Sequence, residues 1–396
     1  SLLITLAGIF LVSALIGLIA TALDQRIAEL RKGRSPVLER GHSLILGWSE
    51  SLPVILSELV IANENQRDAC VVVMARKDKV EMEDELRGRI PRGASTRLVC
   101  RTGNPADPDE LALVDPLAAK SVIVLSEPEG GGDAQAVKVA LSLMTFDPQL
   151  ERIPVTVELA DARHAAALDV ASAGRARTVV TSDLIARVTA QICYQSGLSL
   201  VVQELLDFDG DELYFREEAA LVGRTYLDAQ LAYADATVIG LRRADGSVEL
   251  NPPPAAPIAA GDRLVAIAAD DDAFTLAPTT AATAVADAPV RVPEAPLRAL
   301  VVGWNGLGTS MLAELDGLVA PGSTLHVVAD DALVELESCA AAIGGLANLA
   351  VTVEAADSAD DEVVARIVGA ADYDRIVLLC YREALALEEA DARTLL

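Results

Sequence analysis

The chain repeats itself. Residues 42–59 read HSLILGWSESLPVILSEL and residues 298–315 read RALVVGWNGLGTSMLAEL, and a shift of 256 residues superimposes them without a gap. Gly47-Trp48 falls on Gly303-Trp304, Leu56 on Leu312, Glu58 on Glu314 and Leu59 on Leu315. The next apolar run keeps the register, with Val71-Val72 on Val327-Val328. A repeat at this scale limits the fold, because each copy must be a unit that can bury its own apolar face. An apolar strand, a glycine turn, an amphipathic helix and a second apolar strand form the βαβ unit that opens a parallel sheet.

The first copy continues in the same alternation. Strand patterns over 97–105, 120–128, 153–161 and 177–183 are separated by helical patterns over 106–115 and 133–146, and a further helix is expected over 184–198. Continuous Val and Ile runs, rather than alternating ones, require a sheet covered on both faces. Apolar residues make up 52% of the chain but aromatics only 3%, so aliphatic side chains must fill most of the core. The expected fold class is α/β: a membrane helix, then two Rossmann-like doubly wound domains with a small α+β domain between them. The first domain is placed at 43–203 and the small domain at 204–275, where short alternating strands such as DELYFRE and GDRLVAIAA appear. An Ala/Pro/Thr linker covers 276–296. The second copy occupies 297–396, room for about four strands, and is expected to be cut short.

Residues 1–23, SLLITLAGIFLVSALIGLIATAL, carry no charge. About 20 apolar residues cross a bilayer as a helix. A secretory signal would place basic residues before the apolar stretch. Here Arg26, Arg31, Lys32, Arg34 and Arg40 follow it, which assigns 24–396 to the cytoplasmic side of a cell membrane. Gly8, Ser13, Ala14 and Gly17 permit close helix packing or a bend. The chain opens directly on this helix, and earlier membrane segments are expected before it. Residues 24–42 form a basic connector, helical until Gly33 and Pro36 interrupt it.

The formal net charge of −27 excludes duplex nucleic acid as a natural partner, since binding it requires Lys and Arg to neutralise phosphates. The five cysteines are scattered without a CxxC pair; they read as buried thiols in a reducing compartment.

A dinucleotide turn requires G-x-G-x-x-G, so that backbone can approach pyrophosphate at a helix N-terminus. The first copy keeps only Gly47, with Ser49 at the middle position, and Met74 stands where an acid would grip the ribose. Arg76 and Arg101 are the cations placed to hold an anion there, against the reading of a Rossmann fold used as scaffold. The second copy keeps Gly303 and Gly308, with Asn305-Gly306 between them and Asp330 at the ribose position. An NAD-type nucleotide is the cofactor this pattern suggests. The alternative is that the tight turn alone explains the glycines. Asp207, Asp209 and Asp211 alternate, and Glu218 follows at the spacing of an EF-hand loop, but Gly210 stands fourth rather than sixth. Ca²⁺ at this loop competes with a plain solvated turn. The three histidines are far apart and no catalytic arrangement appears, so no enzyme activity is expected.

The stretches GIFLVSALIGLIATALDQRIAELRKGRSPVLERGHSLILGWSE (8–50), IANENQRD (61–68), VVVMARKDKVEME (71–83), LVCRTGNP (98–105) and GDRLVAIAADDDAF (261–274) resemble the Castor/Pollux family of ion channels. The resemblance implies a homotetrameric cation channel with 1–23 as pore-lining helix. It also implies cytosolic domains of the type that regulates potassium conductance, eight of them forming a gating ring, with Ca²⁺ as a regulatory ligand. The competing reading is a membrane-anchored nucleotide sensor that regulates an ion transporter and has no pore of its own.

Overall fold

The computed structural model describes residues 33–91, 94–127, 131–206, 210–270, 274–277 and 295–395, together with Leu15 and Ile16. The expected membrane helix at 1–23 otherwise lies outside these residues. Among the described residues no helix is long and apolar enough to cross a membrane. The chain divides after Leu184 into two compact units.

The first unit is built on six strands: β1 (Ser43–Leu46), β2 (Cys70–Ala75), β3 (Arg97–Thr102), β4 (Ser121–Val124), β5 (Val155–Leu159) and β6 (Arg177–Val180). All pairings are parallel, in the order β3-β2-β1-β4-β5-β6. This is the Rossmann order, in which the chain reverses direction across the sheet between β1 and β4. The helices are α1 (Leu52–Ala62), α2 (Lys79–Leu86), α3 (Pro108–Leu111), α4 (Gly132–Leu143) and α5 (Ala162–Ser172). Every residue of β1 and β2 is buried. Leu44, Leu46, Val72 and Met74 enter one core layer, while Ile45, Val71, Val73 and Ala75 enter the other. That two-sided burial is why these strands read as unbroken apolar runs.

The helix expected over 106–115 is only one turn, α3, followed by 3₁₀ turns. Asp107 caps its start by accepting from the Asp109 N–H. Asp115 in the left-handed region (φ 41°) and Pro116 at the start of the next turn stop it from extending.

α6 (Thr181–Tyr194) leads into the second unit; the helix expected over 184–198 starts three residues earlier and ends at Tyr194, and Gly197 (φ 87°) separates it from a further helix, α7 (Leu198–Leu206). A four-stranded antiparallel sheet follows: β7 (Glu212–Arg216), β8 (Ala236–Arg242), β9 (Val248–Leu250) and β10 (Arg263–Ala268), in the order β7-β10-β8-β9. The helix α8 (Tyr226–Gln230) is fixed by a capping box between Thr225 and Asp228. This small core departs from the aliphatic rule, since Phe274 meets Tyr214 and Tyr233 edge-on at 5.7 and 5.6 Å.

The second parallel sheet has β11 (Arg298–Val302), β12 (Ser323–Ala329), β13 (Leu349–Ala355) and β14 (Arg375–Leu378), in the order β13-β12-β11-β14. Its helices are α9 (Leu307–Leu318), α10 (Leu336–Ile343), α11 (Asp361–Ala370) and α12 (Leu387–Leu395). β11 pairs with β12 and β14 as β1 pairs with β2 and β4, so the repeated sequence is a repeated topology. Ala186, Ala190 and Cys193 of α6 join the core layer that holds Val301, Val327 and Leu315. Cys70, Cys100, Cys193 and Cys339 are buried free thiols, and Cys380 is half-buried.

Candidate functional site

Each parallel sheet places its glycine turn at the carboxyl end of its first strand, where β1 meets β4 and β11 meets β14. Open α/β sheets bind ligands at such a switch point. In the first turn Gly47 has φ 105°, and its N–H donates to Met74 O at 2.9 Å. A Cβ there would lie 2.9 Å from Leu125 O, so the close backbone approach accounts for the glycine. The Trp48 N–H donates to Glu127 Oε1 at 2.7 Å. Ser49 Oγ and Ser51 Oγ are 2.7 Å apart, and Ser51 Oγ reaches Glu158 Oε2 at 3.4 Å. Burial raises the pKa of Glu158 despite hydrogen bonds from Ser126 and Ser51.

The two arginines expected to hold an anion are engaged elsewhere. Arg76 donates from Nε and Nη2 to Asn104 Oδ1 at 3.1 and 2.8 Å. Arg101 donates from Nε to Ser35 O at 2.6 Å and from Nη1 to Cys100 O at 2.9 Å.

The second turn is tighter. Gly303 has φ 85°, and its N–H donates to Val328 O at 2.8 Å. The buried Asn305 holds two segments at once: Nδ2 donates to Cys380 O at 2.8 Å, and Oδ1 accepts the Leu307 N–H at 3.0 Å. The Gly306 N–H donates to both carboxylate oxygens of Glu383, at 3.1 and 3.2 Å. Gly308 lies under the indole of buried Trp304, where a Cβ would come within 2.7 Å of the ring. Asp330 closes β12, and its carboxylate accepts from Arg393 Nη2 at 2.5 Å, which also bonds Asp357. The Asp330 N–H donates to the Tyr381 hydroxyl at 3.1 Å, and that hydroxyl contacts Ser358 Oγ at 2.9 Å. A cleft of about 330 Å³ beside this network is lined by Gly303, Ser358, Asp361, Tyr381 and Arg393, with apolar walls from β14 and α11.

The structure therefore places Gly303, Asn305, Gly306 and Gly308 at one turn and Asp330 just after the neighbouring strand, with only Gly303 of the five lining the cleft, and Gly47 and Ser49 at the other turn. It leaves Arg76 and Arg101 on other duties. Sequence reasoning missed Glu127, Tyr381, Glu383 and Arg393. No spacing marked Glu127 and Glu383, since the repeat has slipped to a 254-residue shift by β4 and β14, where Ser121 and Arg375 hold equivalent places.

The comparisons with known proteins agree with the topology. The chain is 33% identical over 333 residues to a protein from Oryza sativa subsp. japonica named as the probable ion channel CASTOR. It is 33% identical over 337 residues to one from Arabidopsis thaliana named as the probable ion channel POLLUX. These matches cover 83% and 82% of the chain. The chain belongs to the Castor and Pollux family. A family model described as Castor and Pollux, part of voltage-gated ion channel, matches residues 182–284, from α6 through the small antiparallel sheet. The chain spans 37% and 40% of the length of those two Castor and Pollux relatives. Its fold is that of the human SLO3 gating ring, with a TM-score of 0.58 at 11% identity, covering 89% of this chain and 69% of that one.

In this Castor and Pollux chain the described part of the connector, 33–42, is bonded along the first unit. Gly33 O accepts the Thr102 N–H at 3.2 Å, Ser35 O accepts from Arg101, and Glu39 pairs with Arg97 at 3.0 Å. All three partners lie on β3, the edge strand. The connector ends at fully buried His42, whose Nδ1 lies 3.1 Å from Glu39 O and whose Nε2 lies 3.1 Å from Val114 O. Burial lowers the pKa of His42 below the usual histidine range, outweighing those carbonyls and the charges of Asp115 and Glu39.

Of the residues expected to ligate Ca²⁺, Asp207 and Asp209 lie outside the described residues. Glu218 caps a 3₁₀ turn through the Ala220 N–H at 3.3 Å and faces Arg216 at 3.9 Å. Asp211 immediately precedes β7. Among the described residues no group of three or more metal-ligating side chains converges.

Proposed function

We propose that this chain is part of a homotetrameric cation-channel subunit whose cytoplasmic ring gates the pore in response to a ligand, Ca²⁺ or a nucleotide. Residues 1–23 form the pore helix in the lipid bilayer, and 24–396 lie in the cytoplasm. The observation that carries the reading is the connector. Its bonds to Arg97, Arg101 and Thr102 fix residues 33–42 to the edge of the first sheet, so a movement of that sheet reaches Gly33 without slack. A ligand drives such a movement only if it binds one ring state more tightly than the other. The two Rossmann-type sheets per chain give four copies the eight domains that a gating ring requires. The test is cation flux into liposomes carrying the full-length protein, with and without Ca²⁺ or NAD. Ligand-dependent flux is expected, and absence of flux under every condition rejects the reading.

Ring assembly requires a self-association face, and α7 is suited to that role. Its sequence LSLVVQELL is mostly apolar, yet it has no buried residue, and Leu200 and Leu206 are 71% and 68% exposed. Burying a leucine side chain is worth about 1.5–3 kcal/mol, so this helix gains most by packing on a second copy. Leu200→Glu is expected to reduce the assembled mass, measured by light scattering after size exclusion. An unchanged tetramer would remove α7 from the interface.

A further inference from the structure

The fold family implies a dinucleotide at turns of this kind, and the residues present do not fit one. The handles that such a ligand uses are already taken by the chain. Pyrophosphate would bond the backbone N–H groups at a helix N-terminus. In the second copy one of those groups, on Gly306, donates to both oxygens of Glu383. The middle glycine, whose missing side chain lets pyrophosphate approach, is Asn305, and its amide is spent on Cys380 O and the Leu307 N–H. The acid that would accept the ribose hydroxyls, Asp330, is paired with Arg393. The glycines that survive have internal reasons: Gly303 faces Leu379 O, and Gly308 faces the Trp304 ring.

The first copy also brings a glutamate to its turn, but to an earlier N–H: Trp48 is the counterpart of Trp304, two residues before Gly306. The Trp48 N–H of its turn donates to Glu127 Oε1 at 2.7 Å. Both glutamates come from the segment that follows the strand crossing the switch point. Glu127 stands three residues after the last residue of β4, and Glu383 five after the last residue of β14. Two segments of different length therefore deliver a carboxylate to the two turns, one to the N–H after the first glycine and one to the N-cap of the helix. A carboxylate is the natural side-chain substitute for a phosphate oxygen at a helix N-terminus, and it repels a second anion.

We propose that both glycine turns are self-capped: Glu127 and Glu383 occupy the positions of ligand phosphate, so neither turn admits a dinucleotide in the folded chain. Asn305 holds the segment that carries the second cap through Cys380 O, and of the two ligands named for gating this leaves Ca²⁺ rather than a nucleotide. This inference does not depend on the channel reading, because it concerns the turns alone.

The test is calorimetric titration of the full chain with NAD, ADP and inorganic phosphate, using wild type, Glu383→Ala and Glu383→Gln. Wild type is expected to show no saturable binding of any probe up to millimolar concentration. Glu383→Ala frees the Gly306 N–H and is expected to strengthen phosphate and ADP binding by roughly tenfold, the scale of one charge at a helix terminus. Glu383→Gln removes the charge but keeps an acceptor, and should fall between the two. Submillimolar binding of NAD or ADP to wild type would overturn the proposal, as would a folded Glu383→Ala protein that gains no affinity. Should Glu383→Ala not fold, hydrogen exchange on wild type decides the matter: the Gly306 amide is protected if it is capped and exchanges freely if it is not.

Discussion

Gly303→Ala is expected to destabilise the second parallel domain by about 2–5 kcal/mol. The backbone at Gly303 sits at φ 85°, a region that costs an L-residue roughly 1–2 kcal/mol. The added Cβ would also fall 1.9 Å from Leu379 O and 3.0 Å from Leu379 C, an overlap costing about 1–3 kcal/mol or more after relaxation. The carbonyl cannot easily retreat. The Leu379 N–H is bonded to Val302 O at 2.8 Å, and the next carbonyl, Cys380 O, is held by Asn305. A drop in melting temperature of roughly 10–40 °C follows for a domain of about 100 residues, readable by calorimetry. Two other positions calibrate the result. At Gly103 a Cβ would meet the flexible end of buried Met74 and, at 3.1 Å, Glu110 Oε2, so side chains rather than backbone must give way. At Gly317, in α9, a Cβ meets nothing within 4 Å, so alanine there should be neutral or gain up to about 1 kcal/mol of helix propensity. If Gly303→Ala melts like Gly317→Ala, the turn is looser than its geometry states.

That contrast separates what the sequence carries from what it does not. The repeated Gly-Trp turn and the Val-rich runs disclose two parallel sheets, because burial on both faces leaves a composition mark along the chain itself. The antiparallel unit is legible for the same reason, through alternation. The interiors of the turns are not legible, since their partners arrive from far away. Trp48 meets Glu127 79 residues on, and Asn305 meets Cys380 75 residues on. Spacing rules describe helix and strand neighbours and are silent on such pairs. Hence Arg101 reads as an anion holder from the sequence, whereas from within β3 it clasps the connector at Ser35. The helix over 106–115 fails for a local reason: Asp115 takes a left-handed conformation that no periodicity reveals.

The second large effect is expected at Asp133, which no motif marks. It lies in the first turn of α4 and is 8% exposed. Its carboxylate accepts the Ala160 N–H at 2.8 Å, the Asp161 N–H at 2.9 Å and the Ser126 hydroxyl at 3.0 Å, and His164 Nδ1 lies 2.9 Å from Oδ2. One side chain thus joins the carboxyl ends of β4 and β5 to α4 and α5. Breaking such a buried charged network by removing one member costs about 3–5 kcal/mol, and that is the loss expected for Asp133→Ala in the first unit. Asp133→Asn keeps the shape but turns an amide N–H₂ toward one of the donors, so it should recover only part of the loss. The pH dependence identifies the charge. Burial raises the pKa of Asp133, but the hydrogen bonds from Ala160, His164, Asp161 and Ser126 together outweigh it and hold the carboxyl below its ordinary value. The unfolded chain therefore binds this proton at a higher pH than the native chain does. The stabilisation is fully present above the unfolded carboxyl pKa of about 3.9, and it is lost as pH falls through the lower folded value. Wild type and Asp133→Ala should differ by a constant margin in urea melts from pH 8 to about pH 5, with the margin narrowing in acid. A margin that stays flat into acid would mean that Asp133 acts by packing alone.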